Sequence, residues 1–485
     1  MIVAARSERS LSVLGADKIR AIHDARLRVL SETGVTMPLA PERQAQARDL
    51  GLLVEAQTEP VGERVRFPPA LVAKALARAP TSYTLCARNP EDDVLLGAGQ
   101  SHLSLDGTAI QLIDLETGEL RSSTRADLER AVRLADALDL ISVLCPALSA
   151  ADCAPRMQPI IETATLLIGS SKHAQAMTVV DAVSAEAAVQ MAAEIAGGLG
   201  ALRRRPILSG FQCSISPLSY DARSLQAAFV FAAAGVPTGF VNMAIACGTG
   251  PATVAGNVVL TNAELLAGIA LLQLFYPGAP TFYGSCDTVM ELRSGGVTGG
   301  GPEDALLQAA CVEMARFYRL PSCVGTFATG AKGLDWQAGV ENALSGAVSL
   351  LAGADIVYGA GLLHAAKVFS FEQMLMDCEI FDMLRYVAAG IPVDPESLAV
   401  EVIQAVGPGG HFMEQEHTRK HMREIWQPTL LDRMPLDAWE KAGRPTALGK
   451  ARERARQILA THQAEPLRCE QQIREIVSAR AGSER

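Results

Sequence analysis

Short apolar runs alternate with longer segments of helical period along the middle of the chain. The runs have the length and composition of buried parallel strands and lie at 142–145, 174–180, 207–213, 238–243, 281–283, 322–326 and 356–358. The longer segments predict helices at 157–169, 183–198, 219–234, 252–275, 303–319, 337–352 and 371–388. Seven strand and helix units over about 250 residues favour a (β/α)8 TIM barrel over a doubly wound sheet. The eighth strand has no clear place in the pattern.

Other patterns flank this repeat. The stretch 11–79 has mostly helical period, whereas 81–124 alternates short strands with Asn, Asp and Gly turns, including a β-hairpin around Glu116-Thr117-Gly118. After Pro392 the helical period returns. We therefore predict an N-terminal helical cap with a small β-hairpin insertion at 1–139, the barrel at 140–392 and a C-terminal helical extension at 393–485.

The composition of the chain indicates which partners it can bind and in which cellular compartment it acts. The chain has 43 basic and 53 acidic residues, and its net charge of -10 opposes binding to nucleic acid. The N-terminus lacks an uninterrupted apolar stretch after a basic start, and the apolar run 263–275 is shorter than the roughly 20 residues that span a bilayer. Ten cysteines without a Cys-x-x-Cys pair suit reduced thiols. We expect a cytoplasmic protein that binds neither membrane nor nucleic acid.

The reacting groups of a (β/α)8 barrel lie at the carboxyl ends of its strands and in the loops that follow. Polar residues next to the predicted strands are Lys172 and His173, Gln212 and Cys213, Asn242 and Met243, Tyr283 with Cys286 and Asp287, 327–332, and 358–364. Each of them has a structural alternative, because a polar residue at a strand end often hydrogen-bonds to a loop. The pattern therefore supplies candidates for a site without assigning their roles.

Five glycines lie within residues 293–302, directly before the helix predicted at 303–319. They lack the spacing of a dinucleotide-binding turn and the Lys-Ser or Lys-Thr of a P-loop, so nucleotide binding is disfavoured. Such glycines instead permit close backbone approach to a ligand, or a mobile lid over a barrel mouth. The Gly-x-Ser-x-Gly elbow of serine hydrolases is also absent from the sequence. Composition and spacing alone indicate a barrel enzyme acting on a small polar substrate.

Three of the chain's eight histidines, His411, His417 and His421, follow a Gly-Pro-Gly-Gly turn that ends the preceding helix. His417, His421 and Glu424 share one helical face. Two histidines four apart resemble half of a zinc site, but Thr418 stands where a metalloprotease helix has glutamate, so we predict no metal. A polar helix whose imidazoles hydrogen-bond to the protein body is the simpler explanation.

The C-terminal third of the chain contains a further series of motifs. They are Gly-Pro-Gly-Gly-His at 407–411, His-Thr-x-x-His at 417–421, Trp-x-Pro at 426–428 and Leu-Asp-Arg at 431–433. Together they resemble the C-terminal signature of the trimethylamine methyltransferase family, whose members demethylate methylated amines and betaines for corrinoid proteins. Further motifs resembling that family lie at 114–119, 214–218, 248–253, 262–267, 277–280, 337–339 and 353–355. The similarity therefore covers nearly the whole chain.

The resemblance implies a barrel that binds a methylated amine and presents one methyl group to the Co(I) of a corrinoid on a separate carrier protein. It implies no tightly bound cofactor of the chain's own, so the protein supplies position and electrostatics. An anionic or π-rich pocket suits the cation. On this basis the predicted catalytic residues are Asp287, Tyr283 and Glu372, and the predicted substrate-binding residues are Gln212, Asn242, Phe327, Lys332, Tyr358 and His364. Lys332 or His364 would meet the carboxylate of a betaine.

One loop departs from the founding members of the family. Those trimethylamine enzymes use pyrrolysine in the loop that corresponds to residues 325–332, whereas this chain reads Gly-Thr-Phe-Ala-Thr-Gly-Ala-Lys. Members without pyrrolysine are associated with quaternary amines, so glycine betaine or a related betaine is the leading substrate hypothesis. Two alternatives stay open: a corrinoid-independent methyltransferase that uses a folate, and a non-catalytic protein that binds betaines.

The resemblance also suggests a role for the histidine-rich segment. Because this segment follows the barrel and carries polar residues of exposed type, we predict that His411, His417 and His421 lie near the barrel mouth. There they would support the site or contact the corrinoid carrier. Apolar helix surfaces further suggest that the protein forms a homo-oligomer.

Overall fold

Eight parallel strands form a closed barrel in the computed structural model, which describes residues 1–7, 11–57 and 62–482. The strands are β1 (Gln100–Ser104), β2 (Ile141–Leu144), β3 (His173–Ala176), β4 (Leu208–Cys213), β5 (Thr238–Asn242), β6 (Tyr283–Ser285), β7 (Ser322–Gly325) and β8 (Ile356–Tyr358). Each strand pairs with the next one along the chain, and β8 pairs with β1, Val357 opposite Leu103. The predicted (β/α)8 fold is confirmed, and all seven assigned strands belong to the barrel.

The strand that the pattern left unassigned is β1. Its sequence, Gln-Ser-His-Leu-Ser, has too many polar residues to be recognised as a core strand, yet four of its five residues are buried. Neighbouring elements satisfy these polar groups: Ser101 Oγ donates to Ala354 O at 2.5 Å, and His102 Nδ1 lies 3.2 Å from Ser142 Oγ. The barrel thus takes its first strand from within residues 1–139, the part of the chain that the sequence pattern assigned to the cap.

A helix lies between each strand and the next, and another follows β8. These helices are α1 (Arg125–Asp136), α2 (Gln158–Gly169), α3 (Ala182–Ala196), α4 (Ala222–Ala234), α5 (Val254–Phe275), α6 (Pro302–Phe317), α7 (Trp336–Ala352) and α8 (Phe371–Ala388). All seven helices predicted between 157 and 388 are present. Polar side chains fix several of their starts, as at α1, where Thr124 and Asp127 form a capping box.

Helix α5 is 22 residues long and apolar enough to cross a membrane by length and composition. In the folded chain, however, 94% of its most apolar 18-residue stretch is buried. It packs against β5 and α6 and against two helices of the N-terminal cap, Gly15–Arg28 and Pro69–Leu76. The helix therefore fills the core between barrel and cap, which explains why it is apolar on every side.

Short elements complete the structure on either side of the barrel and in its loops. In the N-terminal cap, Pro41–Asp49 is helical, and Val35–Thr36, Leu53–Gln57 and Gly62–Arg66 form an antiparallel sheet. Ala5–Arg6 pairs antiparallel with β1, and Tyr83–Leu85 pairs with Val94–Leu96. The predicted hairpin is present as Gln111–Ile113 and Leu120–Ser122. The remaining short elements are Val29–Thr33, Pro90–Asp92, Leu199–Arg204, Ile245–Ala246, Thr288–Glu291, Gly296–Val297, Leu362–Leu363 and Val368–Phe369.

The C-terminal extension is helical, as predicted. Its helices are Val400–Val406, Glu416–His421, Leu436–Lys441, Ala447–Thr461 and Glu470–Gly482. The helical period that returns after Pro392 becomes a helix only at Val400, because the residues before it form turns around the Asp394 side chain. Ala447–Thr461 packs on α8 and α1, which ties the extension to the barrel.

Candidate active site

A cavity of about 230 Å³ lies at the carboxyl ends of the barrel strands, the end where such barrels carry their chemistry. Most of its wall is apolar and includes Met177, Phe211, Cys213, Val241, Met243 and Cys286. Met243 is 47% exposed, so the cavity opens to solvent on this side. The volume corresponds to roughly eight water molecules at about 30 Å³ each, which suits a small ligand.

Three carboxylic acids interrupt this apolar wall. Asp106 lies two residues beyond β1, Asp287 two residues beyond β6, and Asp304 in the first turn of α6. All three are buried, and none forms an ion pair with a residue that the structure describes. Burying a carboxylate without a cation is costly unless the group is protonated or a ligand supplies the charge. The cavity is therefore suited to a positively charged ligand.

Asp287 is the most enclosed of the three. Its Oδ1 accepts from Ala244 N at 3.0 Å, and its Oδ2 lies 2.5 Å from Thr261 Oγ1. Thr261 Oγ1 is also 3.0 Å from Asn242 Oδ1, and one hydroxyl proton cannot serve both oxygens. Both contacts are satisfied when Asp287 is protonated and donates to Thr261, which then donates to Asn242. In agreement with this arrangement, burial raises the pKa of Asp287 to about 8.

The other two acids behave similarly. Burial raises the pKa of Asp106 to about 7, although Gly107 N donates to this carboxyl group at 2.9 Å. Burial also raises the pKa of Asp304 to about 7, against a hydrogen bond from Thr288 Oγ1 at 3.1 Å. Near neutral pH the cavity therefore holds protons that a bound cation would displace, because a cation favours the ionised carboxylates.

One aromatic face completes the wall. Phe211, on β4, lines the cavity, and Tyr358 stacks against it with ring centroids 6.0 Å apart. Tyr358 Oη donates to Gln175 Oε1 at 2.8 Å, which fixes the second ring. An aromatic face attracts an ammonium group through its quadrupole. Together with the carboxyl groups, it allows the cavity to hold a small cation that carries apolar substituents.

The glycine-rich stretch 293–302 forms part of the cavity rim. Val297, Thr298, Gly299 and Gly300 line the cavity, and Gly330 N donates to Gly299 O at 3.0 Å. A Cβ at Gly299 would lie 2.6 Å from Ala328 O, so this contact between the two loops requires glycine. The stretch is thus built for close backbone approach at the ligand cavity.

An outer groove of about 450 Å³ adjoins the cavity and shares Val297, Thr298 and Gly299 with it. Its basic side chains are Lys332 and His364. Lys332 Nζ donates to Gly330 O at 2.5 Å. Partial burial, and then the charges of Lys332 and Lys367, lower the pKa of His364. The groove thus offers hydrogen-bond donors on the far side of the glycine-rich loop.

A family model described as trimethylamine methyltransferase (MTTB) matches residues 3–481. The chain belongs to the trimethylamine methyltransferase family. It is 34% identical over 451 residues to the trimethylamine methyltransferase MttB of Desulfitobacterium hafniense (strain DSM 10664 / DCB-2), covering 93% of this chain and 90% of that protein. It is 35% identical over 456 residues to the glycine betaine methyltransferase of Desulfitobacterium hafniense (strain Y51), covering 93% of each.

Membership of the trimethylamine methyltransferase family confirms the resemblance found in the motifs and identifies the chain as a methyltransferase. A crystal structure of the monomethylamine methyltransferase (MtmB) of Methanosarcina barkeri has a similar fold, with a TM-score of 0.50. The similarity covers 91% of this chain and 92% of that chain at 12% sequence identity. At this identity the likeness concerns the fold alone, and it agrees with the barrel described above.

In this member of the trimethylamine methyltransferase family, only one of the three predicted catalytic residues lines the cavity, namely Asp287. Tyr283 faces the helices outside the barrel, where its Oη donates to Asn262 Oδ1 at 3.4 Å. Glu372 is buried at the start of α8 and pairs with Arg452 Nε at 3.0 Å. Tyr283 and Glu372 thus lie outside the cavity. A strand alternates its side chains between two faces, and the sequence did not show which face Tyr283 occupies.

Glu372→Gln should therefore lower stability and leave methyl transfer unchanged. It removes the charge that pairs with Arg452, and we expect the free energy of unfolding to fall by about 1–3 kcal/mol, as for a lost hydrogen bond to a charged group. Urea denaturation alongside KM measurements checks this. Glu116→Gln is a matched control, since the exposed Glu116 pairs with Arg456 of the same helix and should cost less than about 1 kcal/mol. A raised KM with an unchanged free energy of unfolding would contradict this expectation and would mean that Glu372 acts at the substrate site.

Two of the predicted substrate-binding residues support the wall from behind. Gln212 Oε1 accepts from Ser224 Oγ at 2.9 Å. Asn242 belongs to the Asp287 network, and its Nδ2 donates to Ser214 Oγ at 2.8 Å. Neither side chain lines the cavity. Gln212 Nε2 also donates to Val179 O at 3.0 Å, and Asn242 Oδ1 accepts from Ala244 N at 2.7 Å. These hydrogen bonds hold the loops after β3 and β5, which carry the cavity residues Met177, Thr178 and Met243.

The other four predicted substrate-binding residues are spread over two places. Phe327 packs against Gly346 of α7, and Tyr358 supports Phe211. Lys332 and His364 lie in the outer groove. The strand-end candidates Lys172 and His173 lie at the amino end of β3, opposite the cavity. Residues at the amino ends of barrel strands contribute to stability, so the position of Lys172 and His173 indicates a structural role.

The three histidines of the C-terminal segment do not line the cavity. His417 Nε2 lies 3.3 Å from Glu396 O, and His421 Nδ1 lies 2.9 Å from Glu424 Oε1. His411 is exposed. These contacts stay within the C-terminal extension. Among the described residues, no group of three His, Cys, Asp or Glu side chains is placed to hold a metal ion.

The cavity residues that were missed in the sequence include the three to which we assign a part in cation binding: Asp106, Phe211 and Asp304. Asp106 follows β1, so the strand-end rule would have selected it had β1 been recognised as a barrel strand. Asp304 comes directly after the glycine-rich rim, and its position beside a proposed lid was a usable signal. Phe211 lies within a strand, where the pattern cannot separate an aromatic facing a ligand from one in the core.

Proposed function

We propose that this chain removes one methyl group from a quaternary amine, glycine betaine or a related betaine, and transfers it to the reduced corrinoid of a separate carrier protein. The observation that carries the proposal is the small apolar cavity with three buried acids and no basic side chain among its described lining residues. A methylated ammonium group matches this cavity in charge and in apolar character. Identity of 35% with a glycine betaine methyltransferase supports the same reaction.

The carboxylate of a betaine needs a binding place outside the cavity, since the acids there would repel it. Lys332 and His364 in the outer groove are the candidates, beyond Val297, Thr298 and Gly299. Glu291, Glu303 and Glu341 line the same groove, so the carboxylate must bind close to the two basic side chains. A betaine with its ammonium group in the cavity would direct its carboxylate past this loop. The length of the linker between the two charged groups then decides which betaines fit. Betaines with a longer linker than the single carbon of glycine betaine reach the groove more readily.

A quaternary ammonium needs no acid catalyst to leave. The reduced corrinoid supplies the electron pair that takes the methyl carbon, and the electron pair of the broken C–N bond stays on nitrogen in a neutral dimethylamino product. The chain's own part is to hold and orient the substrate. Asp106, Asp287 and Asp304 hold the ammonium group, and Phe211 offers its ring face to the methyl groups.

We propose that the corrinoid of the carrier approaches at the mouth of the cavity. Met243, which lines the cavity and is about half exposed, presents an apolar side chain there. An open apolar rim suits the approach of a flat macrocycle, which would exclude water from the reacting atoms. All ten cysteines are free, which fits a reducing compartment, and we propose that the enzyme acts in the cytoplasm with its carrier.

The test is methyl transfer to cob(I)alamin under anaerobic conditions. The purified chain should form methylcobalamin and a demethylated product with a betaine, and none with trimethylamine. A panel of trimethylamine, glycine betaine, proline betaine and carnitine, analysed by absorbance and by mass spectrometry of the amine product, defines the substrate. Transfer to a folate in place of the corrinoid would establish the folate-linked alternative. Betaine binding in calorimetry with no transfer to either acceptor would make the chain a binding protein.

A further inference from the structure

The outer groove carries more negative than positive charge. The acidic side chains that line it are Glu291, Glu303 and Glu341, and the basic ones are Lys332 and His364. Partial burial, and then the charge of Lys332, lower the pKa of His364, so Lys332 provides most of the positive charge near neutral pH. Among the described residues only one of the acids has a cation as partner, Glu291 with Arg293. The groove therefore matches a ligand group that carries both signs of charge better than it matches a simple carboxylate.

Two opposite charges are bound to the two ends of Gly330. Gly330 N donates to Glu341 Oε2 at 2.9 Å, and Lys332 Nζ donates to Gly330 O at 2.5 Å. Glu341 and Lys332 form no ion pair with each other or with another residue that the structure describes. Because one residue spans about 3.8 Å of backbone, the two charges are held close together without neutralising each other. The ammonium and carboxylate groups of an α-amino acid are separated in a similar way, by a single carbon atom.

Both charged groups have hydrogen-bonding positions left for a ligand. Glu341 accepts from Gly330 N, from the Thr329 hydroxyl and from Gln337 Nε2, the last at 2.7 Å. An ionised carboxylate accepts about four hydrogen bonds, so one more donor can bind. Lys332 Nζ uses one of its three donors at Gly330 O. Glu341 can therefore accept from an ammonium group while Lys332 donates to a carboxylate.

A single backbone segment separates the groove from the cavity. Residues 297–299 line both spaces, and a Cβ at Gly300 would lie 2.7 Å from Glu341 Cβ. Burial raises the pKa of Asp304 in the cavity, and the charges of Glu303 and Glu341 raise it further, so the groove acids lie within electrostatic reach of the cavity. Groups in contact with the two sides of one backbone segment lie about 7–8 Å apart, at about 3.5–4 Å on each side.

This separation sets the length of the linker in a ligand that occupies both spaces. In an extended carbon chain, bonds of about 1.5 Å near the tetrahedral angle advance the chain by about 1.25 Å each. The two bonds between nitrogen and carboxyl carbon in glycine betaine therefore span about 2.5 Å. A chain of four methylene groups between the nitrogen and an α-carbon places the carboxyl carbon at about 7.5 Å, which matches the separation.

We infer that the substrate is an α-amino acid with a trimethylammonium group at the end of a four-carbon side chain, as in Nε-trimethyl-lysine. The inference rests on the methyl transfer proposed above. The trimethylammonium group occupies the cavity, Lys332 binds the α-carboxylate and Glu341 binds the α-ammonium group. The reduced corrinoid takes one methyl carbon, and the electron pair of the broken C–N bond stays on the side-chain nitrogen. The product is then the Nε-dimethyl amino acid.

Calorimetric titration and methyl transfer to cob(I)alamin with two matched compounds test the inference. The compounds are Nε-trimethyl-lysine and 6-(trimethylammonio)hexanoate, which has the same length and lacks only the α-amino group. We expect the wild-type chain to bind the amino acid about tenfold more tightly and to use it with a correspondingly higher kcat/KM, as for one hydrogen bond to a charged group. Glu341→Gln should reduce this preference to about one, because it removes the charge that holds the α-ammonium group.

Lys332→Met tests the other half of the headgroup. It should weaken the binding of both compounds by about tenfold, since both carry the carboxylate, and should leave the preference between them unchanged. The compound 5-(trimethylammonio)pentylamine, which keeps the amino group and lacks the carboxylate, should lose no affinity in this variant. Tetramethylammonium should bind both variants with close to wild-type affinity, because it occupies the cavity alone.

Glu379→Gln is the matched control for a loosened loop. Glu379 on α8 accepts from Thr429 N and from the Thr429 hydroxyl, and it does not line the groove. Glu341 has the same kind of partners in Gly330 N and the Thr329 hydroxyl. The control substitution should lower the melting temperature and leave the preference for the amino acid unchanged.

Equal affinity of the wild-type chain for the two matched compounds would overturn the inference. So would a preference that persists in the Glu341→Gln variant, or one that disappears equally in the Glu379→Gln variant. Methyl transfer from glycine betaine without a preference for the amino acid would reject the inference and leave the proposed function standing. Absence of transfer from every quaternary ammonium compound would reject the proposed function, and the calorimetric preference alone would then decide whether the groove binds an amino-acid headgroup.

Discussion

Asp287→Asn is expected to lower kcat/KM for methyl transfer by about 100- to 1000-fold, the range for loss of one preorganised electrostatic group. Asparagine keeps the size and one oxygen of the carboxyl group but removes its charge from a wall in which only Asp106 and Asp304 are then left to balance a cation. The loss should appear mainly in KM and in the affinity for tetramethylammonium, an inert ammonium probe. Steady-state kinetics and calorimetric titration measure the two quantities.

Asp377→Asn is the matched control for that substitution. Asp377 is also a buried acid whose pKa burial raises to about 7, but it lies on α8 and accepts hydrogen bonds from Gly361 N and Gln373 Nε2. Its substitution should lower the melting temperature and leave the affinity for tetramethylammonium unchanged. Equal losses of affinity in both variants would mean that Asp287 acts only through stability, and would remove it from the binding site.

Affinity for a quaternary ammonium should rise with pH, by about 10- to 100-fold between about pH 6 and about pH 8.5. Burial raises the pKa values of Asp106, Asp287 and Asp304 to about 7, 8 and 7, so the acids are largely protonated at the lower pH. A cation binds the ionised form, and each bound cation should release about one proton near neutral pH. Calorimetry in buffers of different ionisation enthalpy counts these protons. A pH-independent affinity would contradict the role of the three acids.

The same acids set the pH dependence of stability in the ligand-free protein. Their pKa values are higher in the folded state than the ordinary value of 3.8, so the folded state binds more protons. Their contribution to stability is fully present below about pH 4 and is lost as pH rises through about 7 to 8. Tetramethylammonium should restore part of it at the higher pH. In the Asp287→Asn variant, the melting temperature should fall less steeply with rising pH than it does in the wild-type chain.

Most of the fold could be predicted because its strands and helices differ in the spacing of their apolar residues along the sequence. Helix α5 and strand β5 are buried on all sides, and their sequences are correspondingly apolar. Strand β1 was predicted only as one of the short strands between 81 and 124 and was not assigned to the barrel, because its Ser101 and His102 are polar residues that other elements satisfy inside the core. A sequence shows the polarity of a residue, whereas burial depends on partners that lie far away along the chain.

The site was less accessible to prediction for the same reason. Asp287 was selected because it follows a strand assigned to the barrel, and Asp106 was missed because its strand was not assigned to the barrel. Tyr283 and Glu372 have the chemistry that a cation site needs, but Tyr283 points outward and Glu372 has its charge partner on a later helix. Which acids lack a charge partner is a property of the assembled barrel. The cavity acids also face an open cavity, whereas Asp377, equally without a cation, is enclosed by donors from Asn342, Gly361 and Gln373.

Closure of the barrel depends on the contact between its first and last strands. Ile356 pairs with His102, so a nascent chain cannot complete the sheet until translation has passed the last strand. At roughly 5–20 residues per second, about 10–50 s pass before β8 emerges, and during that time the β8 side of β1 is open and Ser101 lacks its partner Ala354 O. We expect a chaperone to bind the emerging N-terminal third of the chain during that delay. Ribosome profiling of chaperone-bound nascent chains would detect this binding.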